Sequence, residues 1–332
     1  MNYIGSKYRL LPFLEESIQD FISGTISDKV FCDLFAGTGA VGRYFKTKCM
    51  SVIANDMEYY SYVLNRNYVG NHTALQADKW LEKLEAIEGT EGFIYQNYCQ
   101  GGHGSRNYFK DENGKRIDAM RVQIEKWKET NTIDEDMYYY LLATLLESAD
   151  KVANTASVYG AYLKHIKKTA AVDLKIRPAD FETTITSHQV YQGDANELVK
   201  TIKGDILYLD PPYNARQYGS NYHMLNTIAN YNEFEPKGVT GLPEYNRSAY
   251  CSKASVKQSF EELIANAQFK YTFLSYNNEG LMSHEEITSI LEKYGRVELK
   301  TKAYQRFKAD KTENRNHTAT ETLEYLFCLE KN

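Results

Sequence analysis

At 332 residues the chain has the length of one large domain, or of a domain carrying an insert, and is short for three. Its 42% hydrophobic and 25% charged residues are those of an ordinary globular protein, and no apolar run approaches the roughly 18 residues of a membrane-spanning helix. A net charge of -5 supplies no global attraction to nucleic acid, so any such contact must be local.

The opening residues, Met1 to Lys7, lack the basic and apolar blocks of a secretory signal, which predicts a cytoplasmic protein with no membrane partner. Cys32, Cys49, Cys99, Cys251 and Cys328 are scattered without a Cys-x-x-Cys pair, so they are expected as small core residues rather than disulfides or zinc ligands. His72, His103, His188, His223, His284 and His317 show no ligand spacing either, and no metal is expected. The 28 tyrosines are more suggestive, because each presents a flat ring and a hydroxyl to a binding surface as well as to a core.

Lys29 to Phe35 is a short, mostly apolar run ending near glycines, and Val41 to Lys48 then reads as a helix. Met50 to Ala54 is a second apolar run that reaches Asn55 and Asp56, so the crossover predicts two parallel strands. Further strands are expected at 188–191, 205–209, 269–275, 297–301 and 324–329, with helices at 260–268 and 283–293. This is the rhythm of an open α/β sheet that binds ligands at the carboxyl ends of its strands. From about Asn71 to Ser187 the rhythm breaks into a Gly-rich patch at 101–104, helical stretches at 117–128 and 134–150, and a basic tract at 162–177. An inserted helical lobe over 71–187 is the simplest reading, with 1–70 and 188–332 forming the sheet domain. A polar, loop-like stretch runs from Asn232 to Ser255.

Gly37-Thr38-Gly39-Ala40-Val41-Gly42 fits G-x-G-x-x-G between a strand and a helix, where backbone closely approaches a nucleotide-like cofactor. Asp56 ends the next strand, where its carboxylate would accept from the ribose hydroxyls that NAD and S-adenosylmethionine share. The deciding feature is Asp210-Pro211-Pro212-Tyr213, directly after the apolar run Ile206 to Leu209. Each proline restricts the residue before it to extended backbone, so the Asp210 carboxylate and a neighbouring carbonyl are held rigidly beside one another. Two such acceptors bind both N–H groups of an exocyclic amine and aim its lone pair at a methyl donor. Tyr213 supplies a face for the base to stack on.

These motifs, in this order, resemble the D12 class of N6-adenine DNA methyltransferases, the Dam-like or alpha group, and within it the FokI type. The resemblance covers nearly the whole chain, from Tyr3-Ile4-Gly5-Ser6-Lys7 through Asp33-Leu34-Phe35-Ala36-Gly37-Thr38-Gly39, Asp56 and Asp194 to Asp210–Tyr213 and its tail, Asn214 to His223. It implies a Rossmann-like methyltransferase sheet with an inserted target-recognition lobe, S-adenosylmethionine as cofactor, and double-stranded DNA as partner. It also implies a cofactor pocket made by Tyr3, Lys7, Asp33, Phe35, Gly37, Gly39, Asp56, Asp194 and Asp210, with Asp210, Pro211, Pro212 and Tyr213 as the catalytic motif. A pocket of carboxylates and aromatic faces suits a cationic sulfonium bearing an amino group. Lys7 would suit a carboxylate or a phosphate instead, and Asp194 would accept from the adenine amine of the cofactor or, read otherwise, cap a helix over Ala195 to Lys200.

Candidate DNA contacts are Arg106 and Asn107 in the Gly-rich loop, Lys164, Lys167 and Lys168 in the basic tract, Arg216 and Tyr222 in the tail, and Arg306 near the end. A solvated helix face explains the basic tract equally well. Ser275 to Asn278 is expected to border the target-base pocket. The reading is a site-specific DNA adenine-N6 methyltransferase that flips its base, acts as a monomer and serves a restriction-modification system beside a separate endonuclease. A ribosomal RNA methyltransferase is the near alternative, since related motifs occur there, although the long insert favours DNA. An NAD-dependent dehydrogenase leaves Asp210 to Tyr213 unexplained, and intact Asp210 and Gly37 argue against an inactive DNA-binding module.

Overall fold

The computed structural model describes residues 7–305 and 321–332. The chain divides into two compact units.

The first unit comprises the described residues of Gly5–Met57, Thr184–Gln217 and Asn246–Asn332 and holds one seven-stranded sheet. Its strands are β1 (Val30–Asp33), β2 (Ser51–Asp56), β3 (Gln189–Gln192), β4 (Lys203–Leu209), β5 (Gln268–Asn277), β6 (Gly295–Gln305) and β7 (Glu321–Lys331). The spatial order is β3-β2-β1-β4-β5-β7-β6. The first five pair in parallel, and β7 runs antiparallel to both β5 and β6. Each expected strand is present, most of them a few residues longer than the apolar run that announced it.

The central strands are buried because helices cover them, which is why Phe31, Cys32 and Ile206 to Leu209 read as continuous apolar runs rather than alternating ones. Helix Ala40–Lys46 lies on β1 through Phe45, whose ring stacks on Phe31 at 4.3 Å between centroids. The core continues through Val256, Phe260, Leu263 and Ile264 of helix Val256–Asn266 and through Ile287, Ile290 and Leu291 of helix His284–Leu291. Ser283 and Glu286 close a capping box at the start of the latter helix.

The second unit comprises Glu58–Thr183 and Tyr218–Tyr245 and is helical. It therefore takes in residues 58–70 and 218–245 as well as most of the expected insert. Helices Asp111–Glu129 and Glu135–Val152 are its longest. The second begins where Asp134 accepts from the Met137 amide, and it is buried on nearly every face from Met137 to Val152. Much of the tyrosine content is spent here: Tyr60, Tyr98, Tyr108, Tyr138, Tyr159 and Tyr222 are fully buried. All five cysteines are buried and unpaired, and no described helix is long and apolar enough to cross a membrane.

Candidate active site

The parallel strands β1, β2 and β4 end side by side, and each delivers a carboxylate at its C-terminal edge: Asp33, Asp56 and Asp210. The turn after β1 brings Gly37 and Gly39 into the left-handed region at φ 52° and 82°, a conformation that side chains with a Cβ rarely adopt. This turn points amides back at two of the carboxylates. Gly37 N–H donates to Asp56 at 2.8 Å, and Gly42 N–H, in the first turn of the helix, donates to Asp33 at 2.9 Å. Asn55, which the sequence did not single out, ties the same region together. Its buried amide donates to the carbonyls of Leu34 and Gly193 at 3.1 Å each, joining the ends of β1 and β3.

The electrostatics are dominated by carboxyl groups crowded at the strand ends. Asp33 is buried, and its second oxygen has no hydrogen-bond partner among the described residues. Burial raises its pKa to about 8; the Gly42 hydrogen bond opposes this, and the charges of Asp210 and Asp56 add to it. Asp210 is 20% exposed and pairs with Lys7 at 3.2 Å. Burial raises it to about 6, with Lys7 pulling down and Glu324 pushing up. Lys7 is itself buried and also donates to Glu324 at 2.7 Å; burial works against its charge, and the two carboxylates more than offset that. Lys7 is therefore committed to protein carboxylates rather than held ready for an anionic group of a ligand, and Glu324 on β7 is a member of the site that the sequence did not flag.

Aromatic surfaces surround the motif. Tyr213 is half-buried and meets Tyr276 edge-on at 6.4 Å, while the Leu281 amide donates to its backbone carbonyl at 2.9 Å. Gly280 fits against the Tyr276 ring, where an added Cβ would lie 2.1 Å from a ring carbon. Phe35 is half-buried and packs edge-on to Tyr250 at 5.1 Å. Ser275, expected near the target base, instead receives the Tyr208 hydroxyl at 2.8 Å inside the sheet.

Other expected residues lie elsewhere or serve other ends. Tyr3 and Arg306 lie outside the described residues. Asp194 caps helix Ala195–Leu198 by accepting from the Asn196 and Glu197 amides. Arg106 is spent within the helical unit: its guanidinium donates to the carbonyls of Asn97, Pro236, Gly238 and Val239. Asn107 is buried and donates to the carbonyls of Leu163 and Lys164, and Tyr222 is buried between Tyr60 and Tyr218. Lys167 is half-buried on the Thr155 carbonyl at 2.6 Å. Lys164, Lys168 and Arg216 are exposed. The basic tract from Tyr162 to Arg177 contains no helix, so it is not the solvated helix face that its composition allowed. The buried histidines are structural: His188 accepts from the Val52 amide, and His223 faces the Tyr159 carbonyl, its pKa lowered to about 4 by burial. Among the described residues no group of His, Cys, Asp and Glu is placed to hold a metal ion.

Set beside known protein families, residues 3–290 match the D12 class of N6 adenine-specific DNA methyltransferases. The chain belongs to that class. Relatives align along its whole length: M.NlaIII of Neisseria lactamica, a type II methyltransferase, is 63% identical over all of this chain and 99% of its own. M.CviAII of Paramecium bursaria Chlorella virus 1, another type II methyltransferase, is 38% identical over 99% of this chain and 98% of its own. M.FokI of Planomicrobium okeanokoites is 40% identical over all of this chain, which spans 53% of that longer protein. Membership in the D12 class fixes the reaction as DNA adenine-N6 methylation and sets aside the dehydrogenase and ribosomal RNA readings.

Proposed function

We propose that the chain uses S-adenosylmethionine to methylate the N6 amine of an adenine flipped out of duplex DNA, and that it is the modification enzyme of a restriction-modification system. The cofactor reading is supported by the fit of its charge. Asp33, Asp56 and Asp210 oppose one another at the strand ends, and Asp33 keeps a buried oxygen without a partner among the described residues. A cationic ligand relieves both conditions, whereas an anionic one aggravates them. Asp56, already oriented by the Gly37 amide, would hold the ribose hydroxyls, and Phe35 would offer an aromatic face beside them.

S-adenosylmethionine supplies an electrophilic methyl group on a cationic sulfur. The protein then has to present a lone pair. Asp210 and the Pro211 carbonyl accept the two N–H bonds of the adenine amine, which turns its lone pair out of conjugation with the ring. Lys7 fixes the Asp210 carboxylate, Pro212 keeps Pro211 extended, and Tyr213 stacks on the base. No nucleophilic residue is required, so catalysis rests on orientation and charge.

The helical unit is assigned to target recognition, and exposed Lys164, Lys168 and Arg216 to phosphate contacts. The restriction-modification role is supported by the type II methyltransferases among the relatives. The observation that carries the reading is the ion-paired Asp210 at the end of β4, followed by two prolines and set near buried Asp33, one oxygen of which has no hydrogen-bond partner among the described residues. Single-molecule sequencing of DNA from cells expressing the chain tests it: N6-methyladenine in one recurring sequence context supports the reading, and unmodified adenine throughout overturns it.

A further inference from the structure

Lys7 does not serve Asp210 alone. Its ammonium lies 2.7 Å from Glu324 and 3.2 Å from Asp210, so one buried cation is shared by two carboxylates. Glu324 stands on β7 opposite Asn277 of β5 and Lys302 of β6. Lys302 lies directly across from it by register, yet that ammonium sits over the Phe13 ring at 5.3 Å. The groups that face Asp210 are Lys7 from the segment before Tyr8, Glu324 from β7, Asp33 from β1, and Tyr208 and Tyr213 from β4 and the turn after it. With Lys7 as the cation among them, the cluster keeps a net negative charge.

We propose that Glu324 is a positioning residue for methyl transfer: by sharing Lys7 it fixes the Asp210 carboxylate without fully neutralising it, so that Asp210 both orients the amine and takes up its proton. A carboxylate held by an undivided lysine would be just as rigid but a poorer base. One held by no lysine would be free to turn and, in this buried place, would protonate too early. In the step itself the N–C bond forms as the methyl–sulfur bond breaks, the sulfonium departs as a neutral thioether, and one amine proton passes to Asp210 and then to water. The proposal rests on the reading that Asp210 binds the amine.

The test compares wild type with Glu324→Gln in two measurements: the pH dependence of single-turnover DNA methylation, and the carbon-13 titration of the Asp210 carboxyl, assigned by its loss in Asp210→Asn. In the wild type both midpoints are expected near pH 6, where burial raises the Asp210 carboxyl. Removing the Glu324 charge leaves Lys7 wholly to Asp210, so both midpoints move down by about one pH unit, the plateau rate falls several-fold and the affinities for DNA and S-adenosylmethionine stay unchanged. Lys7→Met removes the cation and must move the carboxyl midpoint upward, an opposite sign that holds the test firm if Glu324→Gln folds poorly. Unmoved midpoints in both variants, or a loss confined to affinity, overturn the proposal. A carboxyl midpoint that moves while the rate profile stays still overturns it too, and places the fault in the role given to Asp210 rather than in its coupling to Glu324.

Discussion

The Gly42 amide donates to one oxygen of Asp33 at 2.9 Å, and the other oxygen of that buried carboxylate has no partner among the described residues. A group held this way is protonated over much of the neutral range, since its pKa is raised to about 8. A cation bound beside it favours the ionised form and so expels the proton. Affinity for S-adenosylmethionine should therefore rise with pH by about tenfold per unit at most and level off above about 8. Titration calorimetry in buffers of different ionisation enthalpy reads the released proton directly. Asp33→Asn should flatten the dependence, and an unchanged slope in that variant would show that another group carries it.

Asp56 has two tasks at once, because the Gly37 amide and the ribose both call on it. Asp56→Ala should weaken cofactor binding by roughly 1.5 to 3 kcal/mol, the range of a hydrogen bond to a charged group. Wild-type affinity in this variant would place the ribose elsewhere.

Around the target base, the edge-on contact of Tyr213 with Tyr276 depends on Gly280 leaving room for the Tyr276 ring. Tyr213→Phe keeps the stacking face and should retain most of the rate, while Tyr213→Ala should lose far more. Gly280→Ala forces the Tyr276 ring to shift and should fall between them. Fluorescence of 2-aminopurine at the target position follows the flipped base, and equal signals in all three variants would argue against stacking.

Arg106 ties the segment from Pro236 to Val239 to Asn97, its guanidinium donating to three carbonyls of that segment and to the Asn97 carbonyl. Arg106→Ala should lower stability by about 2 kcal/mol and open that segment to proteolysis, because four charged hydrogen bonds to backbone carbonyls are lost. Lys164→Ala and Lys168→Ala should leave stability alone, weaken DNA binding and reduce its salt dependence by about one counterion each. An intact melting temperature in Arg106→Ala, with DNA affinity lost, would return this residue to the DNA surface.

How much of this was legible in the sequence depends on how local the cause is. The strand, turn and helix at 30–46 and the rigid Asp210–Tyr213 motif were legible because neighbouring residues dictate both, and Asp194 as an N-cap follows from the residues just after it. Arg106 and Tyr222 were misread for the opposite reason. Their partners are carbonyls and rings from Asn97, Pro236 to Val239, Tyr60 and Tyr218, most of them far away in the chain, and a charged or aromatic residue in a polar stretch looks exposed until those partners are known. Glu324 was invisible likewise: nothing near it hints that a lysine at the other end of the chain is its partner.

The most direct test of the account is methyl transfer itself. Purified protein, duplex DNA and S-adenosylmethionine labelled in the methyl group are incubated, and the DNA is digested to nucleosides. Wild type should place the label in N6-methyldeoxyadenosine, and Asp210→Ala, which lacks one of the two acceptors that orient the amine, should place none there. Label on cytosine, or substantial turnover by Asp210→Ala, would contradict it.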